Sequence, residues 1–192
     1  MAGAQSDREL QVPELTAGAQ RILDVASELF YRSGIHAVGV DTIARESGIT
    51  KRTLYDRFGS KDRLVMVYLQ ARHQAWWQDL ERRIAEASSP RVLAVFDAYA
   101  DGASDRGCAF LNAAGELASD HPAYQVVRAH KQAVRSRLAE LVRGDRPDID
   151  DPEQLAEHLY LLLEGAIAHR GIDGDAVRLA CVRQLAERLA AT

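Results

Sequence analysis

The sequence predicts an all-α fold: an N-terminal three-helix domain with a helix-turn-helix, then a C-terminal helical core, about nine helices in total. Three observations predict it. Apolar residues recur at helical spacing along most of the chain, and no stretch alternates in the manner of a strand. Serine, threonine, aspartate or proline opens many of these periodic stretches, and glycine or proline closes them. Near the N-terminus, residues Val40 to Lys61 divide at Gly48 into two short amphipathic pieces, the pattern of two helices joined by a tight turn.

Composition narrows the function. With 192 residues the chain can bury a sizeable core and hold one large or two small domains. Its 24 basic and 28 acidic residues leave a net charge of −4, which excludes coating nucleic acid by overall charge. The basic residues are not spread evenly. Between Thr50 and Arg63, Lys51, Arg52, Arg57, Lys61 and Arg63 face only Asp56 and Asp62, a local +3 inside an acidic protein. Cys108 and Cys181 are far apart and belong to no metal-type spacing, so the pattern is that of a reducing compartment without a disulfide framework or zinc site. Residues 1–15 are polar and are expected to be a disordered arm, with Arg8 as its only base. No run approaches the roughly 18 apolar residues of a membrane span, so the expected location is the cytoplasm, with no membrane partner.

The first helix is expected from Thr16 to Ser33, where Ile22, Leu23, Ala26, Leu29 and Phe30 form one apolar stripe and Gly34 stops the helix. In the second, Ile43 and Ala44 supply the apolar face, and Ala44 is small enough to be crossed closely. Gly48 ends it, because the residue after a helix often needs positive φ, and Ile49 plugs the corner. Thr50 is a good N-cap for the third helix, in which Leu54 and Phe58 lie one turn apart and face inward. Lys51, Arg52, Thr53, Tyr55 and Arg57 are left facing outward. Arginine and lysine pair with guanine edges or phosphates, threonine with a base edge or the thymine methyl, and tyrosine with a phosphate oxygen. The DNA-binding candidates are therefore Thr42, Thr50, Lys51, Arg52, Thr53, Tyr55, Arg57 and Lys61. The alternative is a helical protein-interaction module whose charged face is only solvated.

This stretch and its flanks, Ile22 to Gly34 upstream and Phe58 to Leu64 downstream, resemble the N-terminal domain of the TetR (tetracycline-repressor-like) family of transcriptional regulators. The spacing of Leu54-Tyr55, Phe58 and Lys61 is the most specific part, and the resemblance covers Thr16 to Val67. The sequence departs from the family pattern at Gly39, where a serine or threonine cap is usual, and at Arg52, where a small residue is usual. Residues 16–60 are expected to be the DNA-binding domain and 61–192 the helical core.

Ser60 caps a long helix expected from Lys61 to Ala87, about 40 Å at 1.5 Å per residue. Ser89 as N-cap and Pro90 at the first position are expected to open the next, from Arg91 to Ser104, with Val92, Phe96 and Tyr99 on it. After a break at Asp105 to Gly107, Cys108 to Leu117 reads as a short helix, and Pro122 opens a long one to about Arg143. Asp151 with Pro152 and Gln154 is a strong helix start. Two helices, Glu153 to His169 and Asp175 to Ala191, close the chain.

Enzymatic readings find no support in the residues. A di-iron bundle needs Glu-x-x-His pairs, and none of the twelve glutamates has a histidine three residues later. There is no Gly-x-Ser-x-Gly elbow and no phosphate-binding Gly-x-x-x-x-Gly-Lys loop. No catalytic residue, metal ligand or cofactor is expected.

A single reading head has modest affinity, so a homodimer over a pseudo-palindromic operator is expected. Leu155, Leu159, Leu162, Leu163, Ala166 and Ile167 on one closing helix, with Leu179, Val182, Leu185 and Leu189 on the other, are its interface candidates. The family resemblance implies a repressor released from its operator by a small-molecule effector bound among the middle helices. Trp76, Trp77, Phe96, Tyr99, Phe110 and Tyr124 are candidates for an apolar wall, and Asn112, Glu116, His130 and His158 for its polar groups.

Overall fold

The computed structural model describes residues 9–102 and 106–191. Among these the chain forms nine helices in the order α1 (Ala17–Ser33), α2 (Val40–Ser47), α3 (Lys51–Phe58), α4 (Lys61–Glu86), α5 (Leu93–Gly102), α6 (Ala109–Glu116), α7 (Pro122–Asp145), α8 (Pro152–Asp173) and α9 (Val177–Ala191). There is no strand among the described residues. The all-α expectation therefore holds, with most helix ends within a turn of where the punctuation puts them.

The chain clusters into two compact units. The first takes the chain up to Gln74 together with Ala109–His130, and the second takes Ala75–Cys108 together with the chain from Lys131 on. The divisions at Gln74 and His130 fall within α4 and α7.

In the first unit α1, α2 and α3 pack on one another. The stripe expected on α1 is buried at Ile22, Leu23, Ala26 and Phe30, while Leu29 is half-buried at its edge. Ile43, Leu54, Phe58, Leu64 and Tyr68 complete this core. Thr16 caps α1 by accepting from the Ala19 N–H, and Ser60 caps α4 by accepting from that of Arg63 at 3.0 Å. The described end of the expected N-terminal arm is held in place: Leu10 is buried, and the Glu9 carbonyl accepts from Gln70 Nε2 on α4 at 2.8 Å. Arg8 lies outside the described residues.

In the second unit α9 packs on both α8 and α5. Asp151 caps α8 by accepting from the Gln154 N–H at 2.9 Å, and α8 runs one turn beyond His169, to Asp173. The start of α5 is corrected. The helix begins at Leu93 rather than after Ser89, and the Ser89–Pro90 peptide is cis. The cap comes from outside the local sequence: the Asp145 carboxylate accepts from the Val92 N–H at 3.0 Å and pairs with Arg91 at 3.0 Å. The last expected residue of that helix, Ser104, lies outside the described residues. No helix among the described residues is long and apolar enough to cross a membrane.

Candidate nucleic-acid interface

The turn between α2 and α3 is built by backbone chemistry. Gly48 adopts the left-handed conformation (φ 66°, ψ 24°), its N–H reaching the Arg45 carbonyl at 3.2 Å while that of Ile49 reaches the Ala44 carbonyl at 3.1 Å. This pair of reverse bonds satisfies the carbonyls that α2 would leave open and turns the chain sharply. Gly39 precedes α2 with no side-chain cap, as its lack of a hydroxyl requires.

Thr50 then starts α3 by accepting from the Thr53 N–H at 3.1 Å, and the two threonine hydroxyls lie 2.8 Å apart. Leu54 and Phe58 hold one face of this helix in the core, at 0% and 6% exposure. Residues on a helix turn by about 100° each, so anchoring those two presents Lys51, Arg52, Tyr55 and Arg57 to solvent with Thr53 at the margin. Tyr55 is 42% exposed although it is a large aromatic side chain. Among the described residues neither Arg52 nor Arg57 has an acidic ion-pair partner, so both guanidinium groups are available to phosphate or base edges.

The two lysines stand differently. Lys51 Nζ pairs with the Asp41 carboxylate on α2 at 2.9 Å, and that hydrogen bond holds its ammonium group above the usual lysine range. Lys61 is half-buried and donates to the Ile35 carbonyl at 2.7 Å. Burial, its largest influence, pulls its pKa down. Six of the eight candidates thus lie together on α3 or at its cap, with Thr42 half-buried in the first turn of α2, while Lys61 turns its amine onto the protein's own backbone.

The effector candidates divide between the units. In the second, Trp76 and Trp77 are half-buried with rings 6.2 Å apart, and Trp76 packs on Tyr99 at 4.6 Å. Phe96 is buried, and burial raises the Tyr99 hydroxyl pKa well above the usual tyrosine range. His158 is exposed on α8, because the neighbouring Leu159 points into the core and one residue rotates the side chain by about 100°. In the first unit Phe110 stacks on His130 at 3.6 Å, whereas Asn112, Glu116 and Tyr124 are half-buried.

Sequence reasoning missed two polar pairs. His73 and His130 meet in the first unit, Nδ1 to Nδ1 at 3.0 Å, and both are buried. In the second unit Lys131 Nζ pairs with Glu164 at 2.8 Å and lies 3.8 Å from Cys108 Sγ. The partners are separated by 57 and 33 residues, so no local pattern points from one to the other.

The dimer candidates also divide. Leu159, Leu163, Ala166, Ile167 and Leu179 are buried within their own unit. Leu155, Leu162, Val182 and Leu185 are half-buried, and Leu189 is 37% exposed. The most exposed leucine of α8 is Leu161, at 58%, on an apolar groove shared with Leu162, Gly165, Cys181 and Val182.

Comparison with known proteins agrees with this geometry. Residues 22–66 match the family described as bacterial regulatory proteins, tetR family, and residues 88–186 match the tetracyclin repressor-like C-terminal domain. SCO4454, a TetR-family transcriptional regulator from Streptomyces coelicolor, is 30% identical, with 91% of this chain and 94% of that one covered and a TM-score of 0.81. The Streptomyces avermitilis regulator sav143 is 28% identical, with 90% and 99% covered and a TM-score of 0.70. The transcriptional activator FasR of Mycolicibacterium smegmatis is 45% identical over 50 residues, a match that covers 26% of this chain and 23% of that protein's length. Both parts of the chain match, and the reading head has the buried anchors and exposed basic face that the function needs; the protein belongs to the TetR family and is a DNA-binding transcriptional regulator.

Proposed function

We propose that the protein is a homodimeric repressor that occupies a pseudo-palindromic operator and leaves it when a small molecule binds its helical core. The observation that carries the reading is α3, a helix capped at Thr50 and anchored by Leu54 and Phe58, whose remaining face offers Arg52, Tyr55 and Arg57 to DNA. A second copy supplies the second half-site, about 34 Å away, and the apolar groove around Leu161 on α8 and α9 is the surface best suited to join the copies. For the effector, the half-buried pair Trp76 and Trp77 beside Tyr99 favours a lipophilic or aromatic compound.

The test begins with fluorescence anisotropy of the full chain against DNA from upstream of its own gene, with a scrambled duplex as control. Compounds that quench tryptophan fluorescence are then tested for release of that DNA, and a reporter gene gives the sign of regulation. Release with derepression is the expected outcome. Operator binding that raises transcription would make the protein an activator, and a quenching compound that leaves operator affinity unchanged would remove the effector site from the tryptophans.

A further inference from the structure

The loop between α1 and α2 is held by two charged side chains from outside it. At its start, Gly34 takes φ 89° and its N–H closes α1 on the Phe30 carbonyl at 3.0 Å. The Ile35 carbonyl accepts from Lys61 Nζ, the first residue of α4, at 2.7 Å. The next backbone group, the His36 N–H, donates to Oε2 of Glu116, the last residue of α6, at 2.9 Å. A Cβ on Gly34 would stand 3.1 Å from both Glu116 oxygens, so the carboxylate lies flat against the glycine backbone. The negative charge of Glu116 is felt by the Lys61 amine on the other side of the same loop. A second contact runs from Asp62 in α4 to His121, the residue before α7, at 3.3 Å.

These contacts lie within one compact unit, yet they join chain segments that are 26 and 80 residues apart. Hydrogen bonds to ionised groups are roughly twice as strong as neutral ones, and here they act where the fold has few alternatives. Helix α2 has only 8 residues and no side-chain cap at Gly39, so its placement depends on the loop before it and on its packing against α1 and α3. Helix α3 in turn packs on both α2 and α1, so the placement of α2 bears on that of α3.

We infer that Glu116, with Lys61 opposite, is a positioning clamp for the reading head: the end of α6 grips the α1–α2 loop and thereby sets the pose in which α3 meets DNA. This rests on the DNA-binding reading of α3. It gives both residues a use other than those expected from sequence, in which Glu116 faces an effector and Lys61 a phosphate.

The experiment uses the full chain and its Glu116→Ala, Glu116→Gln and Lys61→Ala variants, each checked for helicity by circular dichroism. Amide hydrogen exchange is read at His36, and operator affinity is read over a range of salt. In Glu116→Ala the His36 amide is expected to exchange about tenfold faster and operator affinity to fall about tenfold, with the salt slope unchanged because no phosphate contact is lost. Glu116→Gln keeps an oxygen acceptor for the amide and is expected to recover most of both. Lys61→Ala is expected to lower affinity with the slope unchanged; a slope smaller by about one would make Lys61 a phosphate contact and overturn its part of the clamp. Unchanged affinity in a folded Glu116→Ala protein whose His36 amide is exposed would overturn the clamp. If Glu116→Ala does not fold, the Gln variant decides: failure to approach wild-type affinity and protection counts against it. A wild-type chain that binds no operator would instead overturn the DNA-binding reading, and an unchanged His36 exchange rate in Glu116→Ala would overturn the clamp independently of DNA.

Discussion

His73 and His130 face each other across the first unit with their Nδ1 atoms 3.0 Å apart. One nitrogen must donate and the other accept, so the contact holds only while at least one ring is neutral. Burial lowers the His73 pKa from its ordinary 6.5 to about 4. The unfolded chain therefore takes up a proton between pH 6.5 and about 4 that the folded chain refuses, and stability that is full above pH 6.5 is lost as pH falls through this window. The shift is worth at most about 3 kcal/mol. Urea unfolding at pH 7.5, 6.0 and 5.0 checks it: His73→Gln is expected to flatten the pH dependence by up to one proton, and equal slopes for variant and wild type would refute the assignment.

The reading helix makes a prediction about which base matters. Arg52 and Arg57 are exposed without an acidic partner, whereas Lys51 shares its charge with Asp41. Exposed pairs of that kind are weak and screened by salt, so a phosphate can take Lys51 over from Asp41 at little cost. Arg57→Ala is expected to weaken operator and scrambled DNA alike and to reduce the salt slope by about one. Arg52→Ala is expected to change the preferred base at one position of each half-site, a loss of about 1–3 kcal/mol confined to the matched sequence. Anisotropy titrations across a panel of single-base operator variants measure both, and an Arg52→Ala protein with unaltered sequence preference would remove Arg52 from base contact.

What was legible in the sequence follows from the range of each interaction. Thr50, Leu54, Phe58 and Gly48 could be read because a cap, a one-turn repeat and a positive-φ terminator are all local. The destinations of Lys61 and Glu116 could not, since Ile35 and His36 are 26 and 80 residues away and both partners are backbone groups common to every residue. For the same reason the sequence does not reveal Asp145 as the partner of the Val92 N–H and points instead to the nearer Ser89 as the cap for α5. Helix α8 failed differently. It is apolar on several sides, so the pattern does not say that Ala156, Leu159, Leu163 and Ile167 form the inner face or that Leu161 is left outside.

Gly39 is a place where the protein can be made more stable. Its φ of −84° suits any residue, and a Cβ there would meet nothing within 4 Å. Gly39→Ser supplies the hydroxyl that α2 lacks and is expected to stabilise the first unit by a few tenths of a kcal/mol. Thr50→Ala, which removes a cap already made, is expected to cost about 1 kcal/mol. Thermal unfolding of the two variants should therefore move in opposite directions, and a Gly39→Ser protein less stable than wild type would show that the α2 N-terminus is held by something other than its cap.

The two faces of α8 give the last prediction, because neighbouring leucines should have opposite phenotypes. Leu163 is fully buried in its own unit, and Leu161 is 58% exposed on the groove with Val182. Leu163→Ala leaves a cavity in the core and is expected to cost about 2–5 kcal/mol while the protein remains dimeric. Leu161→Glu removes no core contact but places a charge on the apolar surface proposed to meet its copy, where it would have to be desolvated without a partner. It is expected to leave the thermal unfolding of each protomer's core intact and to yield monomers in sedimentation at micromolar concentration. Without the second reading head at high effective concentration, operator affinity should drop about 10²- to 10⁴-fold, whereas nonspecific binding to a half-site should change little. A Leu161→Glu protein that still sediments as a dimer would place the joint on another surface, and a wild-type monomer at that concentration would remove the dimer itself.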